Sequence, residues 1–203
     1  EISGEERYGL VRNRYQEFKE DEIFIQDNID QTQIRGIELS GTVVLNSRLT
    51  MYGHGTITRG RILKNNGEPP NPEEFWATRI RREAPPMGMI ALQWKGPKKP
   101  YWCEFYVRGA MEQRRLNRGD IRDPRIQGKT RDPKLVEFDE NGLALDAGTP
   151  GWYTLNLRGG VKLGQLVRLN MNIENLLNRR YRQHGSGISS PGFNLTTSLS
   201  TSF

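Results

Sequence analysis

Apolar residues at every second position run through the C-terminal half of this sequence, and that period limits what it can fold into. Phe193, Leu195, Thr197, Leu199, Thr201 and Phe203 fall on one face of an extended segment, with Asn194, Thr196, Ser198, Ser200 and Ser202 on the other. A helix would scatter both sets around its axis, whereas a strand separates them. The same alternation runs through residues 167–174, 153–158, 101–108 and 90–95. Earlier come Leu49, Met51 and Ile57, then Ile37, Leu39, Val43 and Leu45. These are seven strands, and an eighth is expected within residues 8–25. Ile34 falls out of parity with Ile37, so a bulge is expected near Gly36. No segment sustains a helical period, and the chain reads as all-β and antiparallel.

Alternation alone also fits a soluble sandwich with one wet face. The connections separate the two. Asn46-Ser47, residues 96–100 and Gly164-Gln165 are tight, while residues 62–83, 115–150 and 179–191 are long. The long ones run to roughly 13–36 residues, where soluble hairpins need about 2–5. Short turns on one side and long loops on the other are how an outer-membrane barrel is built. Aromatic placement agrees: Trp94, Tyr101 and Trp102 flank one short turn, Phe203 ends a strand at the same level, and Trp152 and Tyr153 stand at the opposite end. Such rings gather where an apolar band meets headgroups. No apolar run of about 18 residues exists, which excludes a membrane-spanning helix but not a barrel.

The remaining composition removes other classes. Lys+Arg 30 against Asp+Glu 24 leaves a net charge of +6. The cations are interleaved with acids in Gly/Pro-rich loops, as in Arg114-Arg115-Leu116-Asn117-Arg118-Gly119-Asp120, and read as solvated loop charge; no nucleic-acid partner is expected. The one cysteine, Cys103, excludes an internal disulfide framework and shares parity with Phe105 on the lipid-facing side. The two histidines, His54 and His184, have no second ligand at useful spacing, so no metal is assigned. Asp139-Glu140-Asn141-Gly142 reads as a turn, and Ser186 lacks the surroundings of a nucleophile elbow. With no catalytic constellation, neither an enzyme nor a cofactor is expected. The sequence opens on Glu1-Ile2-Ser3-Gly4 without Met or a signal peptide, so it is expected to be processed or cut from something longer.

Several segments resemble the TonB-dependent outer-membrane receptors. Ile34-Arg35-Gly36-Ile37-Glu38-Leu39 is similar to a barrel strand of that family, and Ala84-Pro85-Pro86 to the segment opening another. Residues 120–126 and Gly148-Thr149-Pro150-Gly151 resemble a late outer loop and the start of the strand after it. The most specific match is Ile173-Glu174-Asn175-Leu176-Leu177-Asn178-Arg179-Arg180-Tyr181-Arg182, followed by residues 184–187 and Pro191-Gly192. The resemblance implies an antiparallel transmembrane β-barrel segment, about eight strands of a barrel of about 22. Residues 31–203 would be C-terminal barrel strands, with residues 1–30 left open between strand and loop.

By resemblance, the intact receptor sits in the bacterial outer membrane and actively takes up a scarce nutrient of the iron–siderophore or cobalamin class. Its partners would be the remaining barrel strands and a plug domain, on the same native chain or a companion chain, and the TonB system. The β-barrel assembly machinery would read a terminal signal of Phe193, Leu195, Leu199 and Phe203. Loop Arg and Lys would meet lipopolysaccharide phosphates or an anionic substrate. The alternative is a structural or split barrel subunit that anchors a larger assembly without transport. On the residues themselves, Arg158, Arg168 and Glu174 share the polar parity and are expected in a lumen network that stiffens the wall or contacts the plug. Trp76 is a candidate ligand contact, with packing inside its own loop as the other reading.

Overall fold

A polar, solvated backbone inside a sheet is paired to its neighbours or not stable there at all, and here the pairing is continuous. The computed structural model describes residues 31–65, 67–97 and 100–201. The strand expected within residues 8–25 and the terminal Phe203 lie outside them. Seven strands form one antiparallel meander: β1 (Gln31–Val44), β2 (Leu49–Lys64), β3 (Met87–Lys95), β4 (Tyr101–Ala110), β7 (Trp152–Leu163), β8 (Val167–Glu174) and β9 (Asn194–Thr201). A two-stranded hairpin, β5 (Gln127–Gly128) with β6 (Ala147–Gly148), sits inside the longest connection. β1 and β9 are the two edges of the large sheet.

Each alternating segment becomes a strand. β3 begins directly after Pro85-Pro86, where proline ends the demand for a backbone donor. The register of β1 on β2 is continuous from Thr32 to Val44, and its shift lies between Gln31 and Thr32. Gly36 therefore carries no bulge; Ile34 pairs with Gly60 and takes the same parity as Glu38 and Ser40.

The two faces differ in solvent preference. Ile37, Leu39, Ile90, Phe105, Leu157, Leu195 and Leu199 share the outer face and are exposed, Leu39 by 72% and Leu199 by 66%. An apolar face of this extent is not left to water by a soluble domain. Tyr52, Gln93, Glu104, Tyr106, Asn156, Arg158 and Asn172 occupy the opposite face. Trp94 and Tyr101 make a tilted ring pair, 5.4 Å between centroids, at the short-turn end of the outer face, and Tyr153 stands at its other end. Trp102 and Trp152 differ from the girdle expectation: parity turns both to the inner face.

The short turns follow β1, β3 and β7, and the long connections after β2, β4 and β8 rise together from the other end. These long connections form a crown with a core of its own: Leu116, Ile121, Ile126 and Ala144 are fully buried, with Trp76, Val136, Phe138 and Ala147 packed on them. The crown also holds one turn of helix, α1 (Arg118–Arg122), closed by a capping box between Asn117 and Asp120. Five residues are too few to register as a helical period.

A cation on the outer face tests its solvent. Leu157→Arg, near the middle of β7, should lower the unfolding free energy in lipid vesicles by about 2–4 kcal/mol. A change below about 0.5 kcal/mol would place this face in water.

Candidate functional site

The inner face gathers its polar groups where the register aligns them. Glu104 on β4 pairs with Gln93 on β3 and with Arg158 on β7. Its carboxylate accepts from Arg158 Nε at 2.6 Å, Tyr52 Oη at 2.7 Å and Gln93 Nε2 at 3.1 Å. Arg158 Nη2 also donates to the Tyr52 hydroxyl at 3.1 Å, closing the ring of bonds. Tyr52 reaches Glu104 across Ala91, whose small side chain separates Tyr52 from Tyr106 in the register. The Arg158 guanidinium lies 5.2 Å from the centre of the Tyr106 ring, and the Tyr106 hydroxyl donates to Glu174 at 3.3 Å. The Glu104 side chain is 1% exposed and that of Arg158 is 42% exposed. The carboxylate is thus consumed by its donors, while one face of the guanidinium stays open to the interior. Such an arrangement stiffens a wall and presents hydrogen-bond donors; it offers no free nucleophile or base.

The exit of β8 is held by two asparagines. Asn175 and Asn178 take positive φ of 54° and 48°, a conformation asparagine tolerates better than other non-glycine residues. The Asn175 side chain bonds Arg179 and the Pro191 carbonyl, and Asn178 Oδ1 accepts from Phe193 N at 2.9 Å. The start of β9 is thereby tied to the end of β8.

Most charges in the crown are exposed, as the sequence reading expects, but Arg79, Glu83, Asp120 and Asp123 are buried. Glu83, 1% exposed, accepts from Gly60 N at 3.0 Å and Arg115 Nε at 2.9 Å. It joins β2 to two different loops. Asp120 accepts from the backbone of Arg82 and Asn117, and burial pushes its carboxyl above the usual range. Asp123 lies well below that range because Arg125 donates to it from two nitrogens. Arg79 rests against the rings of Phe75 and Phe138, and burial lowers it to about 10. His184 shares a 2.8 Å hydrogen bond with Thr149 through Nδ1, linking the loops before β7 and β9. Its buried Nε2 has no hydrogen-bond partner among the described residues, and desolvation lowers its pKa.

Two clefts open in this region. One of about 630 Å³ is lined by Arg125, Trp152, Arg179, Arg180, Tyr181 and Arg182 among others, with the Trp152 and Tyr181 rings stacked at 4.2 Å. The other, about 390 Å³, brings His54 and His184 to one wall with Met87, Met89 and Arg108. Among the described residues, no three His, Cys, Asp or Glu side chains converge as metal ligands.

The structure separates the expected site residues. Arg158 belongs to the Glu104 cluster, Glu174 reaches it through Tyr106, and Arg168 pairs in register with Lys162 and Ser200 nearer the short turns. Trp76 is half-buried against the crown core, with Arg118 5.8 Å above its ring, and also borders a cleft with Arg118 and Arg122. Leu195 and Leu199 face outward from β9, Phe193 precedes it, and Phe203 is outside the described residues. Sequence reasoning missed Glu104, Tyr52 and Gln93. Their common polar parity was visible, but the alignment of β4 on β7 crosses the longest loop and no turn sets it.

An antiparallel wall with one apolar face, one polar face and all long loops at one end is a segment of a membrane β-barrel. No family model matches the sequence, and no curated protein sequence matches it. Among solved structures, the chain is similar to the copper transporter OprC, with TM-score 0.59 and 16% identity over 85% of this chain and 24% of that one. It is also similar to the FrpB iron transporter from Neisseria meningitidis, with TM-score 0.55 and 12% identity over 83% of this chain and 23% of that one. The unliganded ferric citrate transporter FecA gives TM-score 0.53 and 11% identity over 85% and 24%. The chain has the fold of the barrel portion of TonB-dependent receptors and spans about a quarter of the length of these structures.

The crown should respond to acid through His184. A lowered pKa in the folded state means the unfolded chain binds the proton more readily, so its stabilisation is full above the ordinary value of about 6.5 and is lost as pH falls. The groups around it act in both directions: Asp120, Asp123 and Glu83 favour the protonated ring, while burial and Arg82 oppose it. Asp120, raised by burial, works the other way and favours the fold as pH falls. Between pH 8 and 5.5, the protection of amides at residues 147–151 and 181–187, measured relative to intrinsic exchange at each pH, should fall. His184→Gln should flatten that response, and an unchanged response would remove His184 from the cause.

Proposed function

We propose that this chain forms part of the wall of a plugged barrel in the bacterial outer membrane, serving active uptake of a scarce nutrient. The observation that carries the reading is the division of one continuous sheet into an exposed apolar face and a hydrogen-bonded polar face under a single crown of loops. The first face suits hydrocarbon, the second a wet interior, and the crown a binding mouth. The similar solved structures include transporters of copper, iron and ferric citrate, which supports a metal-containing cargo. An iron–siderophore or cobalamin is the class proposed here.

In this reading the remaining strands pair with the free edges of β1 and β9, and a plug fills the interior against the Glu104–Arg158 cluster. Energy comes from the TonB system through the part of the receptor beyond this wall. Arg158 and Glu174 act as interior contacts, and Arg168 adds charge near the periplasmic end. Trp76 contributes to binding by holding the loop mouth in shape, and direct ligand contact through its cleft belongs to the same proposal.

Deleting the native gene should abolish uptake of one labelled ferric chelate or cobalamin, and inactivating TonB in the intact strain should do the same. A barrel present in the outer membrane, without a plug on its chain or on any co-purifying chain and with no change in uptake, would mean a structural or split barrel subunit. The assembly signal is tested separately. Phe203→Ala should reduce heat-modifiable barrel in the outer membrane by about tenfold if the assembly machinery reads the terminal strand by strand addition. Unchanged levels would remove Phe203 from that signal.

A further inference from the structure

Both histidines of the chain and two of its five methionines line one cleft of about 390 Å³ at the foot of the crown. They come from three separate elements. His54 on β2 stands directly opposite Met89 of β3, and Met87 lies two residues before it on the same face. Met89 in turn opposes Arg108, which shares the parity of Tyr106, so both thioethers take the polar inner face. Apolar packing does not account for that choice. Ile90, Leu92 and Trp94 carry the outward parity of β3, and Met51 and Met171 lie with the outward residues of their own strands. Hydrocarbon explains those side chains and leaves Met87 and Met89 facing a wet interior.

His184 reaches the cleft from the last loop. Thr149 Oγ1 holds its Nδ1 at 2.8 Å, and its buried Nε2 has no hydrogen-bond partner among the described residues. A ring with one nitrogen tied by an oxygen and the other left open is oriented as metal-ligating histidines are. The charge of the cleft selects the metal. Its lining contains no carboxylate, and Arg82 and Arg108 belong to it. Hard divalent ions take oxygen ligands and find no carboxylate here. Thioether and imidazole suit soft ions of the copper(I) type. A single positive charge on neutral donors also meets the least repulsion from the two guanidiniums. Arg108 is itself drawn aside, 5.6 Å over the Trp152 ring and donating to the Tyr181 hydroxyl at 3.4 Å.

We propose that this cleft binds a soft monovalent metal ion of the copper(I) and silver(I) class through Met87, Met89, His54 and Nε2 of His184. No spacing in the sequence announces the set, because the register of β2 on β3 and the path of the last loop assemble it. The site goes beyond the uptake of an iron chelate or cobalamin and does not depend on it.

The test uses the full native protein in mild detergent, with thiols alkylated so that Cys103 takes no metal. Silver nitrate in chloride-free buffer is the probe, read by calorimetry. One silver ion should bind per chain, about tenfold or more tighter than zinc. Met87→Leu with Met89→Leu, a nearly isosteric change, should weaken silver binding by about tenfold or more and leave heat-modifiable mobility unchanged. Thr149→Val, which frees the Nδ1 side of His184, should weaken it by about tenfold. His54→Gln, at an exposed position, serves if the methionine variant does not assemble. X-ray absorption of the copper(I)-loaded protein should show sulfur and nitrogen neighbours. Unchanged silver affinity in the methionine variant, equal affinity for zinc, or a copper shell without sulfur would each overturn the proposal. A receptor that fails the uptake test but binds silver loses the proposed function and keeps this site, whereas one that passes it and ignores silver loses only this site.

Discussion

Hydrocarbon offers a backbone no hydrogen bonds, so a wall with one face in lipid has to satisfy every N–H and C=O within itself. The long strands obey that demand past the point where neighbouring strands end. β3 begins at Met87, which pairs with Thr56, leaving the outer part of β2 paired to β1 on one side and without a strand on the other. The first long loop takes that place. Ile62 N donates to the Thr78 carbonyl, Arg61 bridges Arg79, and Gly60 N donates to Glu83. On the other side of the sheet, β8 ends at Glu174, and Leu176 N then donates to the Leu155 carbonyl while Asn175 N donates to Asn156 Oδ1. The crown thus begins as continued pairing, and the loops are anchored by the same bonds that make the wall.

That anchoring explains where the buried residues are. Apart from Ala91 and Tyr106, the fully buried apolar side chains of the described residues lie in the crown, not in the sheet. A sheet between lipid and a wet interior has no dry interior to fill, whereas loops of this length need packing of their own to hold a shape. The crown combines a small apolar core with buried charge. Glu83 satisfies donors from β2 and the 111–151 loop at once, so removing either partner leaves a buried acid short of bonds. Its carbonyl accepts from Gln113 at 2.6 Å, which ties its own loop to the 111–151 loop a second time.

Much of the sheet was legible because alternation, proline and tight turns act locally. The segments around Leu169 and Leu199 became β8 and β9, and Gly164-Gln165 sets the register of β7 on β8 directly. Asn175 and Asn178, the asparagines of residues 175–178, both have positive φ, a local preference of their side-chain type. The Glu104 cluster was not readable in the same way. Its central bond joins residues 54 positions apart across the longest connection, and parity alone offers Glu104 any polar residue on either neighbour. The few buried loop charges were not readable for a related reason. Composition shows Arg79, Glu83, Asp120 and Asp123 as interleaved polar residues, but burial depends on which distant loops pack together. The capping pair Asn117 and Asp120 did leave a local sign, short because the helix is one turn.

Arginine is sorted by the solvent it faces more than by its place in the chain. On the inner face, Arg158 is bound to Glu104 and rests on Tyr106, so its charge is balanced there. In the crown, Arg131 satisfies three carbonyls, those of Ile121, Asp123 and Ile126, and serves as a brace. At the outer rim, Arg179 is held against an aromatic ring with no acid beside it. Nearer the short turns the inner face keeps two cations side by side, Arg168 opposite Lys162, so the charge balance is local to Glu104.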